Sequence, residues 1–424
     1  MKNRYYRIIF LLIVYCMSIQ CVWGDISGGM EVYQSLEAGQ KESLTFVPWK
    51  EGFLDIHFIN TGKGESTFYI LPDGTTMLVD AASSLIKPEE ILPKPDGSKR
   101  PSQWIIEYIS KVALQSNTKK LDYFLLTHYD SDHIGGYDES LPAASNGSYR
   151  LNGAAEILDY YDVGTLIDRA WPGYDYPKKL NSKAITNYRN SAKYQQKKKG
   201  LKIEKFRPGT TGQIILKHAP SAYVNFEIRN LVVNGEIWTG KGEKTRKNFP
   251  EIGDITKDNM PTENHLCTAF RLSYGKFNYY AGGDLSFRDR DEYEWKDIEK
   301  PIGTLTGNVE VMKANHHGSY DANDSTFLKA LDPDVILIHV WRTVQPRTVT
   351  LHRMATMTSA DIFATNLDKN YAHDYGNDIT RIKDDNVHII VRVYPGGEHY
   401  DIYTIDDTDK EYRIKHKFGP YVCH

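Results

Sequence analysis

Hydrophobic positions along the chain fall into short runs bounded by turn residues. Residues 53–59 alternate around Leu54, Ile56 and Phe58, the period of a strand with one face covered. Two further runs, 67–71 and 76–79, are joined by Pro72-Asp73-Gly74, so the chain opens as an antiparallel meander. Pro101 and Ser102 then introduce Trp104, Ile105, Tyr108, Ile109 and Val112, which share one helical face. Leu121, Phe124, Leu125 and Leu126 read as a buried strand that Thr127 ends. Further on, 267–274 and 277–281 make a hairpin through Gly275-Lys276, and 309–314 and 334–340 are strands. Strands, a helix, then strands again predict an α/β layered fold.

The polar residues at the strand ends change the picture. Directly after the 121–126 strand come His128, Asp130, Asp132 and His133, four imidazole or carboxylate groups within six residues, followed by Gly135 and Gly136. Such side chains bind first-row divalent metals, and a loop at a strand end aims several of them at one point. The strand at 277–281 runs into Gly282-Gly283-Asp284, and that at 309–314 into Asn315-His316-His317-Gly318-Ser319. Distant segments thus gather acidic and imidazole groups at one sheet edge, predicting a metal centre. The loop Asn60-Thr61-Gly62-Lys63-Gly64-Glu65-Ser66 lacks P-loop spacing and a following helix, so it reads as a structural turn.

Residues 138–261 are long and polar, and read as an insertion or elaborated edge. Within them 184–199 is helical and ends in Lys197-Lys198-Lys199-Gly200, with Tyr188, Tyr194 and Phe206 interleaved. Such a stretch either grips a polyanion or complements a helix dipole in solvent.

The 424 residues, 40% hydrophobic and 25% charged, bury a large core and exclude a disordered or fibrous chain. Lys2, Arg4 and Arg7 precede the apolar run 8–15, and Val22-Trp23-Gly24 offers a cut before Asp25, the order of a secretory signal peptide. A lipid anchor at Cys21 is the lesser alternative. The expected organisation is a signal peptide at 1–24, a polar lead-in at 25–50 and one large domain at 51–424 with an elaborated insertion at about 138–261. Export places the protein in the periplasm or outside the cell, without a membrane span in the mature chain. Cleavage leaves 49 Lys plus Arg against 55 Asp plus Glu, a net charge of −6, which does not advertise a nucleic-acid binder. Cys267 and Cys423 remain, and a disulfide between them cannot carry the fold.

THYDSDHIGG, AGGDLS and KANHHGS together resemble the metallo-β-lactamase superfamily. Within it the likeness is closest to the extracytoplasmic hydrolase domain of ComEC-type competence proteins and related secreted phosphorylcholine esterases. It covers 52–137 and 262–340. The resemblance implies a four-layer αββα sandwich and two divalent ions, zinc first and manganese second. It implies that His128 and Asp130 hold one ion, that Asp132, His133 and His317 hold the other, and that Asp284 bridges them. Asp132 would orient a hydroxide, and His316 would stabilise charge or protonate a leaving oxygen, or else only cap the site. Asn264, His265 and Arg347 are the remaining candidates at the substrate. Many relatives carry histidine where this chain has Asp130, and the added carboxylate favours harder metals and phosphoryl chemistry. The competence branch places Gly-His-Pro-His where this chain reads Val344-Gln345-Pro346-Arg347, and no membrane channel is present. A phosphodiester, small or within a nucleic acid, is the expected substrate. An acyl or lactam substrate, or a binding protein without chemistry, are the alternatives.

Overall fold

The computed structural model describes residues 45–85, 90–287 and 293–424. The expected signal peptide, Cys21 and the lead-in up to residue 44 lie outside these. Of the lead-in, Phe46 is buried and packs edge-on against His57 and Tyr403.

Two nine-stranded mixed sheets form the centre of the molecule. The chain builds most of the first with β1 (Leu54–Phe58), β2 (Thr67–Ile70), β3 (Thr76–Val79), β4 (Lys120–Leu125), β5 (Asp162–Asp168) and β6 (Lys202–Lys205). It crosses to the second with β7 (Phe226–Val233), β8 (Glu236–Trp238), β9 (Thr245–Lys247), β10 (Ala269–Tyr274), β11 (Phe277–Gly282), β12 (Val311–Lys313), β13 (Val335–Ile338), β14 (Asp361–Ala364) and β15 (Ile382–Asp384). It returns to the first with β16 (Val387–Val393), β17 (His399–Asp406) and β18 (Ile414–Val422). The strand orders are β18-β17-β16-β1-β2-β3-β4-β5-β6 and β15-β14-β13-β12-β11-β10-β7-β8-β9.

Alternation along each strand explains the layering. Leu54, Ile56 and Phe58 of β1 join Tyr69, Met77, Tyr123 and Leu125 in a core shared with Phe270, Leu272, Tyr279, Val311 and Leu337 of the second sheet. The opposite faces, with Phe68, Leu78, Phe124 and Leu166, pack on helices α1 (Pro101–Tyr108), α3 (Gly153–Tyr160) and α4 (Lys183–Lys199). The second sheet buries Met312, Ile336 and Ile362 against α5 (Glu299–Thr306), α6 (Ser325–Leu331) and α7 (Thr348–Met357). Helix, sheet, sheet, helix is the expected four-layer αββα sandwich. Both faces of β4 are covered, which is why its sequence is a near-continuous apolar run.

The 138–261 segment supplies α3, β5, α4 and β6 to one side of the sandwich and β7, β8 and β9 to the other. Helix α4 is capped by Ser182 Oγ, which accepts from the Ile185 N–H, and ends at Gly200 in the left-handed conformation. Cys267 and Cys423 are free and buried. Among the described residues no helix is long and apolar enough to cross a membrane.

Candidate metal centre

The site lies where β4, β11, β12 and β13 run out of their sheets. β4 ends at Leu125, and the chain turns through Thr127 and His128 into the one-turn helix α2 (Ser131–Ile134), with Asp130 at its N-cap. Asp284 follows the Gly282-Gly283 exit of β11. His316 and His317 follow β12, and both adopt left-handed backbone angles, with φ of 47° and 54°. Two consecutive non-glycine residues in that region cost about 1–3 kcal/mol each, so their surroundings must hold them. Asn315 and Asn323 do so reciprocally: Asn315 N–H donates to Asn323 Oδ1 at 2.9 Å, and Asn323 Nδ2 donates to Asn315 O at 2.9 Å. Buried Glu299 of α5 accepts from Asn315 Nδ2 and from the Asn323 and Asp324 N–H groups at 2.7–2.8 Å.

These exits bring the anticipated residues into one cluster. Asp284 Oδ1 lies 3.2 Å from His133 Nε2 and 3.3 Å from His317 Nε2. Its other oxygen lies 3.8 Å from His128 Nε2 and 3.9 Å from His316 Nε2. Asp284 therefore faces two histidine groups with its two oxygens. Asp132 Oδ2 is 3.1 Å from His317 Nε2 and 3.7 Å from His133 Nε2, and Asp130 Oδ2 is 3.7 Å from His128 Nε2.

Outer contacts fix which ring nitrogen faces the cluster. His133 Nδ1 lies 2.7 Å from Asp80 Oδ2, and His317 Nδ1 lies 3.0 Å from the His339 carbonyl. Each Nδ1 donates to an oxygen acceptor, which leaves each Nε2 pointing inward. Thr127 Oγ1 donates to Asp80 Oδ2 at 2.6 Å and so accepts from His128 Nδ1, 3.1 Å away. His128 Nε2, His133 Nε2 and Asp284 Oδ1 are buried without a hydrogen bond. Orphaned, converging, buried ligand atoms are what a metal would satisfy.

The electrostatics agree. Burial opposes charge on His133, as does His128, but Asp284, Asp80 and Asp132 hold its pKa well above the ordinary imidazole value. Burial likewise opposes charge on His317, and Asp284 and Asp132 outweigh it, raising the pKa to about 9. Burial would raise Asp132, yet His133 and His317 bring it down to about 2. Burial would also raise Asp284, but His317, His133 and His316 hold it well below the carboxylate range. The same carboxylates that favour positive charge on these imidazoles would favour a divalent cation between them.

Glu65 joins this group, contrary to the reading of its loop as a structural turn. Glu65, His133, Asp284 and His317 each present one ligand atom, all within 4.8 Å of one another, and this buried cluster can hold a divalent metal. Gly64 makes the approach feasible: at φ +125° it runs against the α2 turn, where a Cβ would stand 2.1 Å from the Asp132 carbonyl. Glu65 N–H donates to that carbonyl at 2.9 Å. Glu65 also pairs with buried Lys313 at 2.7 Å, and Lys313 Nζ donates to Gly282 O and Gly283 O at 2.7 and 2.8 Å. The signal available in the sequence was an acidic residue between two small ones in a glycine loop, too common to stand alone.

The other candidates are dispersed. Asn264 Nδ2 is 3.2 Å from His316 Nε2, whose Nδ1 is 2.8 Å from Asp321. His265 turns its Nδ1 to Thr262 Oγ1 at 2.7 Å, and burial with Lys296 nearby lowers its pKa to about 4. Arg347 lines the cleft over the cluster together with Asp130, Asp284, His316 and Trp341.

No curated protein matches the chain. Residues 60–180, which include Glu65, Asp80 and the whole of the 128–133 loop, match the model of the metallo-beta-lactamase superfamily, and the two mixed sheets flanked by helices are consistent with that superfamily's sandwich fold.

Proposed function

We propose that the protein is an exported, binuclear metal-dependent hydrolase acting on a phosphodiester, nearest in kind to the ComEC-type hydrolase domains and the phosphorylcholine esterases. His128 and Asp130 would hold one ion and Asp132, His133 and His317 the other, with Asp284 shared and zinc the first expectation. What supports this is Asp284, whose two oxygens face separate histidine groups at 3.2–3.9 Å. The carboxylates of Asp130, Asp132 and Asp284 favour phosphoryl over lactam chemistry.

Two divalent ions held there would supply an activated water at neutral pH and charge to offset that of the phosphoryl oxygens. The chain's own residues do the rest. Ionised Asp132, which lines the cleft, would orient the attacking water. His316 is aimed by Asp321, which accepts from its Nδ1 at 2.8 Å and leaves Nε2 toward the cleft to deliver a proton to the departing oxygen. Asn264 Nδ2 donates to that nitrogen at 3.2 Å while it is unprotonated, so the proton His316 delivers is one that Nε2 first takes from the attacking water.

Metal analysis of the mature protein should find about two ions per chain; a correctly folded preparation that takes up none overturns the reading. Bis-p-nitrophenyl phosphate, DNA and a chromogenic lactam, assayed side by side, should rank in favour of a phosphodiester. Asp284→Ala should abolish that activity.

A further inference from the structure

One wall of the cleft is not explained by metal binding. It is built by the segment that follows β13, and Trp341, Arg342 and Arg347 all line the cavity, of about 110 Å³, that also opens onto Asp130, Asp284 and His317. The segment is held firmly. Gln345 Oε1 accepts from the Trp341 and Arg342 N–H groups at 3.2 and 3.1 Å, and Arg347 N–H donates to Gly318 O at 2.8 Å, beside His317. Trp341 is 4% exposed, and its ring stands perpendicular to that of His317 with centroids 6.1 Å apart. The Arg342 guanidinium lies over the Trp341 ring at 4.4 Å.

Two donors in this wall have nothing to bond. Trp341 Nε1 and Arg342 Nε are both buried without a hydrogen bond. A buried N–H left unpaired is costly, so two on adjacent residues of one cleft wall point to a missing acceptor. A metal cannot be that acceptor, since these atoms carry hydrogens. An oxyanion can: guanidinium forks match phosphate and carboxylate oxygens, and stacking on the indole fixes the plane of the fork before the ligand arrives.

We propose that Trp341, Arg342 and Arg347 form an oxyanion subsite beside the metal centre, so that the substrate carries a second anionic group next to the bond that is hydrolysed. The subsite rests on the hydrolase reading for its role, but not for its existence. Its neighbour is His317, one ring's width away, so the second anion sits within a few bonds of the reacting centre. A phosphorylated or a carboxylated substrate would present the same oxygens.

Binding and turnover test this separately. The metal-loaded protein is titrated calorimetrically with inorganic phosphate and with acetate, and Arg342→Gln, Arg347→Gln and Trp341→Phe are compared with the unaltered chain. Phosphate affinity should fall about tenfold or more in each arginine variant, the loss of a charged hydrogen bond. In kinetics, a p-nitrophenyl phosphodiester whose second arm ends in phosphate, and one whose arm ends in carboxylate, are compared with bis-p-nitrophenyl phosphate. At least one anionic arm should raise kcat/KM, and that preference should shrink in the variants; the arm that gains more identifies the substrate class. Should Arg342→Gln fail to fold, Arg342→Lys keeps the charge, loses the fork, and should weaken phosphate binding in the same direction. Unchanged phosphate affinity in both arginine variants overturns the subsite. Loss of phosphate binding in the variants of a protein that hydrolyses no diester supports the subsite and overturns the hydrolase reading instead.

Discussion

Glu299 offers a sharp test of how the strained His316–His317 turn is held. Its carboxylate is fully buried and accepts from Asn315 Nδ2, Asn323 N–H and Asp324 N–H, so it braces the loop carrying both histidines without touching the ligand cluster. Burial dominates its ionisation and raises the pKa from 4.5 to about 8, against the opposing pull of the three N–H donors. A carboxyl whose folded pKa lies above its unfolded value contributes stability that is fully present below pH 4.5. That stability is lost as pH rises toward 8. At about 1.4 kcal/mol per pH unit the loss is on the order of 4–5 kcal/mol. Glu299→Gln has no proton to lose, so its stability curve lacks this term. Urea denaturation of both proteins at pH 5, 6.5 and 8, in one buffer series, should show the unaltered chain more stable at pH 5. The variant should close the gap, or overtake, by pH 8. A stability difference that stays flat across that range would refute the reasoning, because it would mean the N–H donors fully offset burial.

The remaining predictions concern the cluster and its supports. Lys313→Met should destabilise the fold by about 3–5 kcal/mol in denaturant melts, since it strands Glu65 and two carbonyls in the interior, and adding Glu65→Leu should recover part of that loss. Asp80→Asn should weaken metal retention by about 10–100-fold in a chelator competition, because an amide can turn its NH₂ toward His133 and fix the wrong tautomer. Metal uptake should release protons and weaken as pH falls, given that His317 holds its proton up to about pH 9 and His133 is raised in the same sense. Calorimetry in two buffers of different ionisation enthalpy measures that release, and equal heats in both would contradict it.

Much of the fold is legible in residue order because period and burial coincide. The alternation of Leu54, Ile56 and Phe58, the Pro72-Asp73-Gly74 turn and the helical face from Trp104 to Val112 each describe an element that buries its own pattern. The candidate ligands are equally legible where they sit at or just beyond strand exits, as His128, Asp132, Asp284 and His317 do. The 138–261 stretch is harder, since β6 and β9 are short, charged sheet-edge strands whose residues carry little period. Residue order alone therefore establishes a layered α/β chain and a cluster of metal-binding side chains. It cannot bring Glu65 beside His317, because that approach depends on a glycine passing under the α2 turn and on a lysine 248 positions away. Nor can it reveal that Trp341 and Arg342 line the cleft while each keeps a buried donor without a partner, since a tryptophan followed by an arginine has no pattern of its own. Only packing decides which polar atoms are left without water or a partner, and here those atoms define where a metal and an anion would go.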